Sequence, residues 1–200
     1  MRPSTKLKQQ KIIEVATQLF LKQGYHQTNL DQIIEQCGGS KQTIYSYFGD
    51  KRGLLTAVIG RCIEEVEAIF NFKNDDNKTL EQQLIQFGTN YLDTILSPTL
   101  LNTFRILLTE SQHDQELADF YLNQGPYRIT NYLRQFLLSH MEQGHLKNGD
   151  PSVACGHLLS LLKGYIQHEA LFGVRVPPKL VIKQHVQSAV DCFLNGYRPV

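Results

Sequence analysis

A short stretch of this chain concentrates side chains that can bind a nucleic acid. Residues 41 to 47 include a lysine, a glutamine, two hydroxyl-bearing residues and two tyrosines, namely Lys41, Gln42, Thr43, Ser46, Tyr45 and Tyr47. Lys41 can donate to guanine, Gln42 can pair bidentately with adenine, and Thr43 can reach a base or a phosphate. Ile44 and Phe48 would face inward on the same helix. Because packing alone does not account for so many polar groups on one short helix, we predict that its outer face contacts duplex DNA.

Two short helices joined by a tight turn are expected to position these side chains. The first helix has an apolar stripe at helical spacing, formed by Leu30, Ile33, Ile34 and Cys37. Thr28 can cap its N-terminus, with Asp31 in the capping-box position. Gly38 and Gly39 permit the positive φ angles that a tight turn requires, and Ser40 can cap the second helix. The pattern predicts a helix-turn-helix with its second helix in the major groove.

The charge is distributed unevenly along the 200 residues. The net charge is only +1, but residues 1–61 carry nine Lys and Arg against four Asp and Glu, while the remainder carries eleven against fifteen. A basic N-terminal module on a mildly acidic body is expected when one end meets phosphate. Lys6, Lys8 and Lys11 either add nonspecific electrostatic affinity or form a solvated basic tail.

The rest of the sequence excludes several other classes of protein. It has no apolar run of 18 residues and no signal-peptide core, which predicts a cytoplasmic protein. No GxSxG, P-loop, GxGxxG or HExxH motif is present, so we expect neither an enzyme nor a cofactor. The cysteines form no CxxC pair and are expected to be reduced; they are Cys37, Cys62, Cys155 and Cys192. Histidines lack helical i, i+4 pairs, which favours solvated side chains over metal ligands, in His113, His140, His145, His157 and His168.

Beyond residue 50 the chain reads as further helices with no β-alternation, so the predicted fold is all-α. Asp50 is an expected N-cap for a helix from Lys51 to about Phe72. Later helices are expected over Thr79 to about Leu96, Pro98 to Glu110, Asp114 to Asn123, Pro126 to Gln143, Pro151 to Phe172, and 179 to 196. The total is about nine to ten helices.

The last two predicted helices carry more apolar surface than packing on one side of each helix would bury. The stretch from Leu158 to Phe172 is apolar nearly all round, and the final helix has one broad apolar stripe. A second subunit can cover part of this surface through an isologous four-helix interface, while a monomer with an internal helix is the alternative. The interface residues predicted on this basis are Leu158, Leu162, Tyr165, Ile182, Val186, Val190 and Phe193.

The segment from Lys11 to Ile59 resembles the DNA-binding domain of the TetR family of bacterial transcriptional regulators (TetR/AcrR-like). The shared features are Phe20, Gly24-Tyr25, Thr28, Ile33-Ile34, Gly38, Ser40, the run Thr43 to Phe48, Asp50-Lys51 and Leu54-Leu55. Ile34 and Gln42 depart from the family's usual small residues. The resemblance implies an N-terminal three-helix DNA-binding domain over residues 1–50 and an effector-binding and dimerisation domain over 51–200.

The same resemblance implies roles for individual residues. Base contacts are implied for Lys41, Gln42, Thr43 and Ser46, and contacts with the DNA backbone for Thr28, Tyr45, Tyr47 and Lys51. Either Tyr45 or Tyr47 can instead pack against the first helix.

Family members generally bury a small effector in the larger domain. The aromatic residues that can line such a pocket or simply form the core are Phe70, Phe87, Tyr91, Phe104, Phe120, Tyr121, Tyr127 and Phe172. The expected function is a homodimeric, ligand-responsive repressor that leaves a palindromic operator when an apolar effector binds. The alternative is an all-α protein-interaction module in which the helix-turn-helix is only a scaffold.

Overall fold

The computed structural model describes residues 3–67 and 77–199, and this part of the chain forms ten α-helices and no strand. The helices are α1 Pro3–Gln23, α2 Leu30–Cys37, α3 Lys41–Phe48, α4 Lys51–Glu67, α5 Leu80–Ile95, α6 Pro98–Glu110, α7 Gln115–Gln124, α8 Pro126–Glu142, α9 Pro151–Leu171 and α10 Lys179–Tyr197. The predicted all-α fold with an N-terminal helix-turn-helix is confirmed. None of the described helices has the length and apolar character needed to cross a membrane.

Two compact units make up the chain, and the first comprises Met1–Glu64 with Asn102–Tyr121. Its core joins apolar residues of α1 to α4 with residues of α6 and α7, including Phe20, Ile33, Ile44, Leu54, Leu107 and Leu117. The helix-turn-helix is therefore packed together with a later part of the chain. The division at residue 50 stays a prediction, because packing does not say which segment binds DNA.

The N-terminus of α2 differs from the predicted cap. Asn29 is the N-cap residue, and its side chain and that of Gln32 form a reciprocal capping box. The hydroxyl of Thr28 instead donates to the carbonyl of Gly24 at 2.8 Å and accepts a hydrogen bond from Gln23 at 3.1 Å. The predicted capping pair, Thr28 and Asp31, therefore lies one residue before the observed pair, Asn29 and Gln32. The reason is that the hydroxyl of Thr28 closes the preceding turn.

The basic N-terminus is helical from Pro3, and one of its lysines has a structural role. The ammonium of Lys8 donates to the carbonyls of Cys37 at 2.8 Å and Gly38 at 2.9 Å. These carbonyls lie at the C-terminal end of α2, where a cation is favourable. The interpretation of Lys8 as part of a solvated tail is wrong, whereas Lys6 and Lys11 are exposed.

The second unit comprises Glu65–Leu101 and Leu122–Val200, and in it α10 packs on α5 and α9, while α9 also packs on α5 and α8. A Cβ placed on Gly88 of α5 would lie 2.7 Å from Leu162 and 2.8 Å from Val186. The absence of a side chain at Gly88 therefore lets α5 approach α9 and α10 closely.

This packing corrects the predicted dimer interface. Six of its seven residues are buried within the protomer itself, namely Leu158, Leu162, Ile182, Val186, Val190 and Phe193. Tyr165, in contrast, is 86% exposed. The apolar stripe of α10 was identified correctly, but it is covered by α5 and α9 of the same chain and is not available to a partner.

Most predicted helix ends agree with the structure. Thr79 and Gln82 form the expected capping box of α5, and the side chain of Asp150 caps α9. Within α9, Gly164 has φ 44 and ψ −145, so the helix is kinked where an uninterrupted helix was expected. The predicted end of α4 near Phe72 lies outside the described residues.

Candidate nucleic-acid interface

Helix α3 is anchored at its start and along one side. The hydroxyl of Ser40 accepts a hydrogen bond from the backbone N–H of Thr43 at 3.2 Å, which confirms Ser40 as the N-cap. Gly38 and Gly39 have φ angles of 70 and 108, as the tight turn requires. The side chain of Ile44 is buried in the first unit's core. With one face held in this way, the other face of α3 has a defined orientation.

The outward face of α3 carries the polar groups predicted for DNA reading. Lys41, Gln42 and Ser46 are exposed, and Tyr45 is 46% exposed despite its size. The hydroxyl of Thr43 lies 3.1 Å from that of Ser40, so this half-buried side chain also supports the cap. The structure therefore places these five side chains on a single short helix, most of them accessible to a ligand.

The two tyrosines of α3 have different surroundings. The half-buried Tyr47 packs against the first unit's core, and its ring meets that of Phe48 edge-on at 6.1 Å. Tyr45 has the more exposed ring. Of the two, Tyr47 is therefore the tyrosine with a packing role.

Lys41 is held by a neighbour that the sequence analysis did not connect with it. Its ammonium lies 2.8 Å from the carboxylate of Asp31, across the turn from α2. This hydrogen bond is the main cause of a raised pKa for Lys41, and the charge of Asp31 adds to it. Both side chains are exposed, so the pair contributes little to stability but restrains where the ammonium points.

At the start of α4, Lys51 contacts a backbone carbonyl and an aromatic ring, whereas Arg52 contacts two carboxylates. Lys51 donates to the carbonyl of His26 at 3.3 Å, and its ammonium lies 4.4 Å from the ring centroid of Tyr25. Partial burial lowers its pKa. Arg52 contacts Asp114 and Glu116, with 2.8 Å between Nη2 and an oxygen of each carboxylate. Hydrogen bonding to Arg52 lowers the pKa of Asp114 to about 2.

Thr28 is the predicted DNA contact that the structure supports least. Its side chain is 1% exposed and its hydroxyl is already hydrogen-bonded within the first unit. A buried hydroxyl cannot reach a phosphate without a local rearrangement. We therefore leave Thr28 out of the proposed interface and assign it to the turn between α1 and α2.

The aromatic residues suggested for an effector pocket are divided between the two units. Phe104, Phe120 and Tyr121 belong to the first unit, whereas Phe87, Tyr91, Tyr127 and Phe172 belong to the second. Tyr127 and Phe172 are exposed, and Phe70 lies outside the described residues. Phe87 and Tyr91 are buried and stacked at 5.8 Å between ring centroids. The shared effector pocket stays a prediction, and Phe87 and Tyr91 are its buried candidates in the second unit.

Two of the histidines contact each other although they are not spaced i, i+4 along a helix. The Nδ1 atoms of His140 and His145 are 3.0 Å apart, because the turn after α8 folds back so that the backbone N–H of His145 donates to the carbonyl of His140 at 2.9 Å. Across residues 3–67 and 77–199, no cluster of three or more His, Cys, Asp or Glu side chains is arranged to hold a metal ion.

Comparisons with known proteins agree with this architecture. A family model described as bacterial regulatory proteins of the tetR family matches residues 12–58, and one described as the C-terminal domain of AefR-like transcriptional repressors matches residues 82–199. The HTH-type transcriptional regulator YvkB of Bacillus subtilis (strain 168) is 26% identical over 176 residues, which is 88% of this chain and 88% of that protein.

Two solved structures have a similar fold over nearly the whole chain. A TetR-family transcriptional regulator from Mesorhizobium loti MAFF303099 has a TM-score of 0.88 at 24% identity and covers 99% of this chain and 100% of its own. The flavonoid-responsive regulator FrrA has a TM-score of 0.77 at 29% identity, with 97% of this chain and 98% of that chain covered.

Proposed function

This chain belongs to the TetR family of bacterial regulatory proteins, and we propose that it is a ligand-responsive repressor that binds a palindromic operator as a homodimer. Family membership makes it a helix-turn-helix transcriptional regulator, a class that is generally not enzymatic. The proposal adds the mode of action, the operator symmetry and the residues involved. It also places the protein in the bacterial cytoplasm, where its DNA target is located.

The exposed face of α3 is the observation that carries the proposal. Lys41, Gln42 and Ser46 project from a helix whose opposite face is buried through Ile44, so they can enter the major groove while the helix stays packed. We propose base contacts for these three and Thr43. For Tyr45, Tyr47 and Lys51 we propose contacts with the phosphate backbone, which position the reading helix without specifying sequence.

A homodimer is supported by apolar side chains that the protomer leaves exposed. Tyr165 and Phe172, at 86% and 83% exposed, lie seven residues apart near the end of α9, and Leu180 and Val181 are exposed at the start of α10. Exposed apolar groups of this size often mark a protein contact. A two-fold interface here would pair two copies of α3, as an inverted-repeat operator requires.

We propose a small apolar effector for the second unit. This unit contains the buried pair Phe87 and Tyr91, and the relative FrrA is named for its response to flavonoids, which are aromatic compounds. Release from DNA requires only that the effector bind the DNA-incompetent conformation more tightly than the competent one. Repression then follows because the bound dimer occludes RNA polymerase until the effector arrives.

Selection of bound duplexes from a random pool tests these points together. We expect enrichment of an inverted repeat, binding that weakens steeply with salt, and release by at least one member of a panel of small aromatic compounds that includes a flavonoid. Failure to enrich or retain any duplex at low ionic strength would refute DNA binding and favour a protein-interaction module. Enrichment of a non-repeated site would refute the palindromic operator alone.

A further inference from the structure

One end of the second unit holds a polar cleft, lined by the turn before α5 and by the C-terminal ends of α8 and α10. Its volume is about 720 Å³, which is within the range of small-molecule sites. Its polar groups include Gln83, His140, His145 and Arg198, together with the charged side chains of Lys78 and Glu81. The polar cleft contains none of the aromatic residues considered for the apolar effector and none of the DNA-contact residues.

Gln83 is a buried side chain with an incomplete set of hydrogen bonds. It is 6% exposed, and its Nε2 donates to the backbone carbonyl of Lys78 at 2.9 Å. Its Oε1 is buried and accepts no hydrogen bond from the described residues. Reversing the amide would set two oxygen acceptors against each other at Lys78, so the orientation is determined. Because buried acceptors in native proteins are nearly always paired, Oε1 of Gln83 calls for a donor beyond the described residues, and Gln83 lines the cleft.

The two histidines form a second fixed polar group in the cleft. Their Nδ1 atoms are 3.0 Å apart, so when both rings are neutral one Nδ1 carries a proton and the other accepts it. The ring of Phe136 packs on His140 at 4.5 Å between centroids and limits its rotation. Burial lowers the pKa of His140, which favours the neutral form of this ring. The cleft is therefore lined here by two imidazole rings whose Nδ1 atoms face each other.

Arg198 is one of two cationic side chains that line the cleft, the other being Lys78. Its Nη2 donates to Glu81 at 2.9 Å, and both side chains are about half exposed. A guanidinium has five N–H donors in a planar fork, and one hydrogen bond to Glu81 leaves others directed elsewhere. This geometry suits a carboxylate, which can accept two parallel hydrogen bonds from one arginine.

We propose that the polar cleft binds a small carboxylate that also carries a hydroxyl or amino group. The carboxylate pairs with Arg198, and the hydroxyl or amino group donates to Oε1 of Gln83, which completes the hydrogen bonding of that amide. This ligand is chemically distinct from the apolar effector. The inference is independent of DNA binding, since the residues involved belong to the second unit alone.

Three closely related dicarboxylates separate the two interactions. L-Malate, L-aspartate and succinate share two carboxylates and differ in carrying a hydroxyl, an amino group or neither. Isothermal titration of each into the full-length protein, without DNA, should show that L-malate or L-aspartate binds about tenfold more tightly than succinate, as one hydrogen bond to a buried acceptor predicts. His140 and His145 ring resonances should shift in the same titration.

Variants then assign the interactions to residues. Gln83→Leu keeps the size of the side chain and removes Oε1, so it should abolish the tenfold preference over succinate. Arg198→Gln should weaken all probes by about tenfold or more because it removes the guanidinium that pairs with their carboxylate. Gln187→Leu, at an exposed glutamine of α10 that does not line the cleft, is the matched control and should leave every affinity unchanged.

Two outcomes would overturn the proposal. One is equal binding of all three probes to the wild-type protein, or no measurable binding of L-malate and L-aspartate at about 10 mM. The other is an unchanged preference in the Gln83→Leu variant. The comparison of probes on the wild-type chain keeps the test decisive even where a variant does not fold.

Discussion

Gln42 and Lys41 are neighbours on the exposed face of α3, yet their side chains are constrained differently. The Lys41 ammonium is held by Asp31 at 2.8 Å, whereas the Gln42 amide is exposed. An amide presents a donor and an acceptor side by side and so matches the edge of adenine, while an ammonium acts mainly as a point charge. At the residue scale we therefore expect Gln42 to discriminate between bases and Asp31 to limit nonspecific attraction by Lys41.

Replacing Gln42 tests base discrimination. Gln42→Ala should lose about 1–3 kcal/mol of preference at one base pair of each half-site, because it removes one bidentate contact. Competition binding between the selected operator and its single-base variants measures this preference. Gln36→Ala, at an exposed glutamine of α2, is the control. An unchanged preference at every position would remove Gln42 from the reading surface.

Replacing Asp31 tests the restraint on Lys41. Asp31→Asn should strengthen binding to unrelated duplex and raise the magnitude of the salt-dependence slope by about 1, since one more cation becomes available to phosphate. Glu35→Gln removes the same charge from an exposed position on the same helix and controls for long-range electrostatics. Equal slopes for these two variants would show that the contact between Asp31 and Lys41 has no specific effect.

At the scale of the elements, the corner between α3 and α4 sets the position of the reading helix within its unit. The carboxylate of Asp50 accepts a hydrogen bond from the backbone N–H of Gly53 at 2.7 Å and caps α4. Gly53 has no room for a side chain, because a Cβ there would lie 1.8 Å from the carbonyl oxygen of Phe48. The last residue of α3 and the first turn of α4 are thus in direct contact.

Adding one methyl group at this corner should disrupt the packing of α3. Gly53→Ala is expected to destabilise the first unit by about 1–3 kcal/mol or more, since backbone must move to remove the overlap. Gly60→Ala is a matched control within α4, because its Cβ would lie at an ordinary 3.7 Å from Phe120. Urea unfolding followed by circular dichroism should show a lower midpoint for Gly53→Ala only. Similar midpoints for both variants would contradict a close approach at Gly53.

At the scale of the whole molecule, the chain forms two compact units. The pH dependence of stability and the association of two copies are therefore considered for the second unit by itself. In the second unit, His140 is buried beside His145 and Phe136. Burial first, and then the charge of His145, lowers the pKa of His140 from its ordinary value of 6.5. The folded unit therefore prefers neutral His140, and the unfolded chain binds the proton more readily.

The sign of the resulting pH dependence follows from linkage. Stability should be highest above pH 6.5 and should fall as the pH decreases from 6.5 toward the lower folded pKa of His140. His140→Phe should flatten this part of the profile, while His113→Phe, at an exposed histidine of the first unit, should not. Urea midpoints between pH 8 and pH 5 measure the effect. A profile unaffected by His140→Phe would contradict it.

Association of two copies should depend on the exposed end of α9. Tyr165→Asp combined with Phe172→Asp should convert a dimer to a monomer, because it introduces charge into a proposed apolar contact. Tyr127→Asp changes another exposed tyrosine of the second unit and should leave the dimer intact. Sedimentation velocity distinguishes the two states. A dimer that persists in the double variant would place the interface elsewhere.

The helical pattern and several helix starts followed from the sequence alone, because they depend on contacts within about four residues. Ser40, Thr79 and Asp150 cap the helices that their positions predicted, and Gly38 and Gly39 adopt the expected turn. The resemblance to a known family likewise rests on linked local motifs. At Thr28 the hydroxyl bonds to the preceding turn instead, so the predicted N-cap of α2 was one residue before the observed one, Asn29.

The tertiary structure decided which surfaces meet. Periodicity identified the apolar stripe of α10, but it cannot say whether the same chain or a second copy covers it, and the answer for Val186 and Val190 is the same chain. The pairing of Lys41 with Asp31 and of His140 with His145 likewise depends on how turns fold back in space. Spacing along the chain determines which side of a helix is apolar, whereas its partner is determined by distances that only the folded chain defines.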